Sequence, residues 1–150
     1  MSLIRSMITM AAVIVSACGF IKHDELNQAA LAGDKARCEG LLKSGADVNG
    51  AGMHAMKPIM SAAKGGDFET VKYLVCNGAD VNAHNSSGSA LMWAIEANEP
   101  RIARFLLMNG ADPRWVNSLG RTALDLAMEK QARELIDLLE EELKNASMTH

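Results

Sequence analysis

The sequence predicts an all-α repeat solenoid, and three observations carry that prediction. The segment Gly-Ala-Asp-Val-Asn begins at Gly45 and again at Gly78, and Gly-Ala-Asp-Pro-Arg begins at Gly110, so one signature recurs at intervals of 33 and 32 residues. Between the copies, apolar side chains keep the three-to-four period of a helix face: Val71, Leu74 and Val75, then Ile102, Phe105 and Leu106, then Leu135, Ile136, Leu138 and Leu139. Aromatic residues make up 4% of the chain against 49% hydrophobic residues, which suits thin stacked layers of Ala, Leu, Val and Met better than one bulky core. Each helix has to bury its stripe against a neighbour, so the copies must stack.

The same arithmetic excludes several classes. A chain of 150 residues is the size of one ordinary domain. A net charge of −3, with no Lys/Arg stripe, argues against nucleic-acid binding. Cys18, Cys38 and Cys76 form no Cys-x-x-Cys pair and are too few for a disulfide scaffold or a structural zinc site.

Residues 1–17 read as a leader. Arg5 precedes an almost wholly apolar run from Met7 to Ala17 that is too short for a comfortable membrane span, and small residues close it just before Cys18. The order Val15-Ser16-Ala17-Cys18 resembles the bacterial lipobox, which implies cleavage before Cys18 and a lipid on that residue. Gly19-Phe20, with no Asp beside the Cys, resembles the outer-membrane sorting pattern of a didermic bacterium. Ordinary secretion and an uncleaved apolar helix covering the first repeat stand as alternatives. On the lipoprotein reading, residues 18–23 are the anchor and a short tether. Gly19 to His23 reach at most about 17 Å, which would lay the array almost on the bilayer.

The repeat region runs over 24–143, with units at about 24–49, 50–82, 83–115 and 116–143 and a flexible tail at 144–150. Asp24 is expected to cap the first helix. Gly45, Gly78 and Gly110 stand just past helix ends, where glycine takes the left-handed conformation cheaply. Asp47, Asp80 and Asp112 then accept backbone N–H bonds in tight turns. Lys57-Pro58-Ile59-Met60-Ser61-Ala62, Ser89-Ala90-Leu91-Met92-Trp93-Ala94 and Thr122-Ala123-Leu124-Asp125-Leu126-Ala127 open the shorter helix of each pair. Pro100 falls at the start of a second helix, where proline is tolerated. Glu140 to Glu142 close the last unit with a solvated face.

Period, signature and the partial match to Thr-Pro-Leu-His-x-Ala together resemble the ankyrin repeat. The resemblance implies a stack of about four helix-turn-helix units joined by short β-hairpins, with the two end units atypical. The pattern's His is Met60, Met92 and Asp125 here, so the polar tie it normally supplies between units is replaced by packing.

No constellation supports catalysis. His23, His54, His84 and His150 pair with no carboxylate at helical spacing, and there is no phosphate loop, metal cluster or cofactor motif, so no metal, cofactor or small-molecule substrate is expected. Cys38 aligns with Val71, Ala103 and Ile136 as a small core residue, and its non-equivalence to Cys76 argues against a disulfide. The resemblance implies a protein partner on the concave face: Ser61, Trp93 and Leu126 from the first helices, Met53, His54, His84, Asn85 and Trp115 from the hairpin tips. Trp93 and Trp115 fit two roles each, as binding anchors or as packing over a helix gap and a hairpin. The expected function is an exported, membrane-anchored, non-enzymatic module holding an envelope protein of unknown identity, as scaffold or as inhibitor or immunity-type factor. A cytoplasmic adaptor with an uncleaved N-terminus is the alternative, and an accessory of a stress-protection enzyme the third.

Overall fold

The computed structural model describes residues 21–148, and among them the chain forms eight α-helices in four hairpin pairs. They are α1 (21–31), α2 (Lys35–Lys43), α3 (Pro58–Gly65), α4 (Phe68–Cys76), α5 (Ala90–Glu96), α6 (Pro100–Met108), α7 (Ala123–Glu129) and α8 (Arg133–Met148), with one 3₁₀ turn at Met53–Ala55. The first helices stack in one row, α3 on α5 on α7, and the second helices in another, α2, α4, α6 and α8. The expected all-α solenoid is therefore the observed architecture.

The boundaries follow from local chemistry. Asp34, Asp67, Ser89 and Thr122 each accept a backbone N–H of the first turn of α2, α4, α5 and α7. Pro58 and Pro100 occupy the first turn of α3 and α6, where no N–H is needed. Gly45, Gly78 and Gly110 have φ of 91°, 87° and 90°, the left-handed conformation expected of them. Gly65 has a different reason: a Cβ there would stand 2.2 Å from the carbonyl oxygen of Leu31, so only glycine lets the end of α3 reach the backbone of α1.

One continuous core runs through all four pairs. Leu26, Ile59, Leu74, Leu91, Ile95, Ile102, Leu106 and Leu139 are all buried in it. Cys38 joins them, and Met60 and Met92 fill the positions where a polar tie was lost.

Four expectations about the ends and connections are corrected. Asp24 lies inside α1 rather than capping it; its Oδ1 accepts from the backbone N–H of Met53 at 3.4 Å and its Oδ2 from Gln28 Nε2 at 3.2 Å. Residues 21–23 are helical, so three of the five residues assigned to a tether belong to the first unit. Of the tail expected at 144–150, residues 144–148 continue α8, which runs to Met148. The connections are not β-hairpins: among the described residues the chain has no strand and a single antiparallel bridge, His84 to Ser89.

Asparagine side chains replace the missing ladders. Asn49 Nδ2 donates to the carbonyl of Gly78 while its Oδ1 accepts from the N–H of Asp80. Asn82 repeats both bonds one unit on, to Gly110 and Asp112. Asp47, Asp80 and Asp112 accept the N–H two residues ahead at 2.8–2.9 Å, the turn role expected of them.

Candidate protein-binding surface

The loops at 50–57, 83–89 and 115–121 form a row, each bonded to the one before: Asn85 Nδ2 donates to the carbonyl of His54, and Asn117 Nδ2 and the Ser118 N–H donate to the carbonyls of Ser87 and Ser86. Their tips carry most of the residues expected to bind. Met53 is 57% exposed, and His54 is exposed at a backbone φ of 56°, left-handed for a residue with a Cβ. His84 is exposed, its Nδ1 lies 2.9 Å from the carbonyl of Asn82, and its ring stacks on Trp115 with centroids 4.9 Å apart, tilted by 39°. Trp115 is therefore half-buried, one part against the core and one beside His84, with Val116 exposed next to it.

Other expected residues sit elsewhere. Ser61 is 4% exposed and Leu126 4% exposed, so neither is available to a partner in this state. The cause is the close stacking of the first helices: Ser61 Oγ donates to Asn27 Oδ1 of the preceding unit, and Leu126 rests beside Met92 and Trp93. Asn85 is half-buried and committed to its own loop. Its Oδ1 accepts from the N–H groups of Ser87 and Gly88, and its Nδ2 donates to the carbonyl of His54 in the preceding loop. Trp93 is half-buried, with the ammonium of Lys64 4.7 Å from its ring centroid. Cys18 and the whole of 1–17 lie outside the described residues.

Sequence reasoning missed Leu119, 72% exposed in the last loop, together with Leu31 on α1 at 45% and Met128 on α7 at 49%. An apolar residue inside the turn Asn117-Ser118-Leu119-Gly120 was the available signal, since a turn tip gives it nothing to pack on.

The cysteines behave differently from one another. Cys38 and Cys76 are both free thiols; burial pushes Cys38 up to about 11, so it stays protonated and inert, whereas Cys76 is exposed. Among the described residues no three His, Cys, Asp or Glu side chains converge as metal ligands, and no helix is long and apolar enough to cross a membrane.

Comparison with known proteins decides the family, because the model for "Ankyrin repeats (3 copies)" matches residues 26–117, more than half of the chain. The chain belongs to the ankyrin-repeat family. The match ends where the last pair, α7 and α8, begins. Similar proteins include the ankyrin repeat and KH domain-containing protein mask-1 of Caenorhabditis elegans, 35% identical over 67% of this chain and 4% of its own length. A putative ankyrin repeat-containing protein of Treponema pallidum is 39% identical over 55% of this chain and 28% of its own length. Ankyrin repeat domain-containing protein 40 of Mus musculus is 30% identical over 55% of this chain and 23% of its own length. The chain thus spans well under a third of these relatives. What it shares with them is the ankyrin stack, a protein-interaction module.

Proposed function

We propose that this chain is an exported, lipid-anchored ankyrin-repeat protein whose loop row holds a protein partner at the bacterial cell envelope, without catalysis of its own. One observation carries the binding half: the loops leave the large apolar side chains Met53, Val116 and Leu119 exposed, with half-buried Trp115 stacked on the exposed ring of His84. The export half is supported by the sequence alone, through the apolar run from Met7 to Ala17 and Val15-Ser16-Ala17-Cys18. With Cys18 lipidated and α1 under way by residue 21, the repeats would stand beside the membrane, and the partner would be an envelope protein that the array scaffolds or inhibits.

Two measurements test the two halves separately. The mass of the N-terminal peptide from the native host should be that of a chain beginning at a diacylated Cys18; an intact Met1 overturns export in favour of a cytoplasmic adaptor. Affinity capture from solubilised envelopes should lose the partner on Trp115→Ala with little change in melting temperature. A lower melting temperature with unchanged capture would make Trp115 a packing residue and remove the loop row as the binding surface.

A further inference from the structure

Leu124, Met128 and Ile136 occupy places in the last helix pair that the two pairs before it bury completely. In the register of the repeat, Leu124 stands where Ile59 and Leu91 do, Met128 where Ala63 and Ile95 do, and Ile136 where Val71 and Ala103 do. Those six are at most 1% exposed, since each lies in a pair with another stacked on either side. In the last pair Leu124 and Ile136 are only half-buried, and Met128 is 49% exposed. Met128 and Ile136, with Gln131 and Arg133, line a shallow groove of about 500 Å³ where α7 turns into α8. Half-buried Leu143 follows two turns after Ile136 on α8. An end repeat whose outer side meets only water carries polar residues there. Asp125 obeys that rule at the place of Met60 and Met92, and the other three positions do not.

Charge decides which kind of surface can cover this end. Residues 21–121 hold equal numbers of Lys/Arg and Asp/Glu, so the net negative charge of the described chain sits wholly in the last pair. There Glu129 is paired with Arg121 and Lys130 with Glu96. Arg133 and Lys144 remain against six carboxylates, of which Asp137 and Glu140 adjoin Ile136 on α8 and Asp125 adjoins Leu124 on α7. A second copy docked by the same end would set one acidic surface against another. Docked by its first pair, 21–49, it would bring four cations and five carboxylates, so neither end of this chain supplies positive charge.

We propose that this end of the array docks a basic amphipathic helix of another protein, with its apolar stripe on Leu124, Met128, Ile136 and Leu143 and its Lys or Arg side chains over Asp125, Asp137 and Glu140. A helix suits the place because the inner pairs offer the equivalent positions to the helices of the next pair. The site is a second surface, and it does not rest on the loop row.

The test uses the full chain, labelled with ¹⁵N, and two synthetic helical peptides: one with Leu at positions i, i+3, i+4 and i+7 and Lys elsewhere, the other with Glu in place of every Lys. The Lys peptide should saturably displace the amide signals of 124–144 and leave those of α1 to α4 in place. The Glu peptide should bind at least about tenfold more weakly, and raising the salt to about 0.5 M should weaken the Lys peptide by a similar factor. Met128→Ser removes apolar surface from a half-exposed position and should weaken the Lys peptide about tenfold with the melting temperature retained. Asp137→Asn combined with Glu140→Gln should do the same. Equal binding of the two peptides, displacements spread evenly over all four pairs, or binding indifferent to Met128→Ser overturns the docking site. So does self-association of the chain in sedimentation that Met128→Ser abolishes, because the occupant would then be a second copy.

Discussion

The helix rows and the loop row of this molecule are held together by different physics. Between helices the contacts are almost wholly apolar: Met60 is fully buried and Met92 2% exposed at positions where the family pattern has a hydrogen-bonding His. Between the turns that lead into the loops the ties are polar, Asn49 and Asn82 each bridging to a carbonyl and an N–H of the next turn. Burial supplies stabilisation without direction. Hydrogen bonds between successive loops fix how far each unit is rotated on its neighbour, because their geometry tolerates little error. The helix rows therefore hold the array together, and the loop row sets the spacing at which Met53, His84 with Trp115, and Leu119 are presented.

Removing a layer of the helix rows should have the largest effect. Leu106 is fully buried on α6, and Leu106→Ala should destabilise the chain by about 2–5 kcal/mol, through lost burial and the cavity left behind. Denaturant unfolding followed by circular dichroism checks this. A loss under about 1 kcal/mol would show that the layers relax around the gap, and that something other than burial chiefly holds the rows. The loop row should respond less. Asn82→Ala removes both bonds to the following loop and should cost roughly 1–2 kcal/mol, since these groups are exposed and water replaces part of what is lost. It should also raise hydrogen exchange at the Asp112 N–H, which Leu106→Ala should leave protected at low denaturant. Equal exchange in both variants would erase the distinction between the two regions.

The two regions are not equally legible in the sequence. Helix faces are readable because a period of 3.6 is written into the chain, and the left-handed glycines because no other residue suits φ near 90°. The family resemblance implies β-hairpins for the loops, and the structure instead ties them by Asn49 and Asn82. The sequence holds the signal, since Asn follows Val48 and Val81 in both complete signatures, and Arg114 stands in the third, which has no further signature after it to bond. Ser61 and Leu126 are misplaced for a different reason. A position on a helix face can be read from periodicity, but how closely the next helix approaches depends on side-chain volumes across two units.

The smallest effect should come from the point where the two regions meet, the start of α7. Thr122 and Asp125 form a reciprocal cap: Thr122 Oγ1 accepts from the Asp125 N–H at 3.3 Å, and Asp125 Oδ2 accepts from the Thr122 N–H at 2.7 Å. Thr122→Ala should cost about 1 kcal/mol, less than Asn82→Ala because it frays one helix without loosening two loops. The cap also gives this junction a pH dependence. Hydrogen bonds from the Thr122 N–H and hydroxyl hold the Asp125 carboxyl below its ordinary range, so folding favours the ionised form. A depressed folded-state pKa contributes stability that is complete above the unfolded value and is lost as the pH falls through the folded one. Wild type should therefore lose more stability than Asp125→Asn on acidification below the ordinary Asp range, and the two melting temperatures should converge there. Parallel curves for the two proteins across that range would show that α7 is held by its packing on α5 and α8, as the helix rows are, and not by its cap.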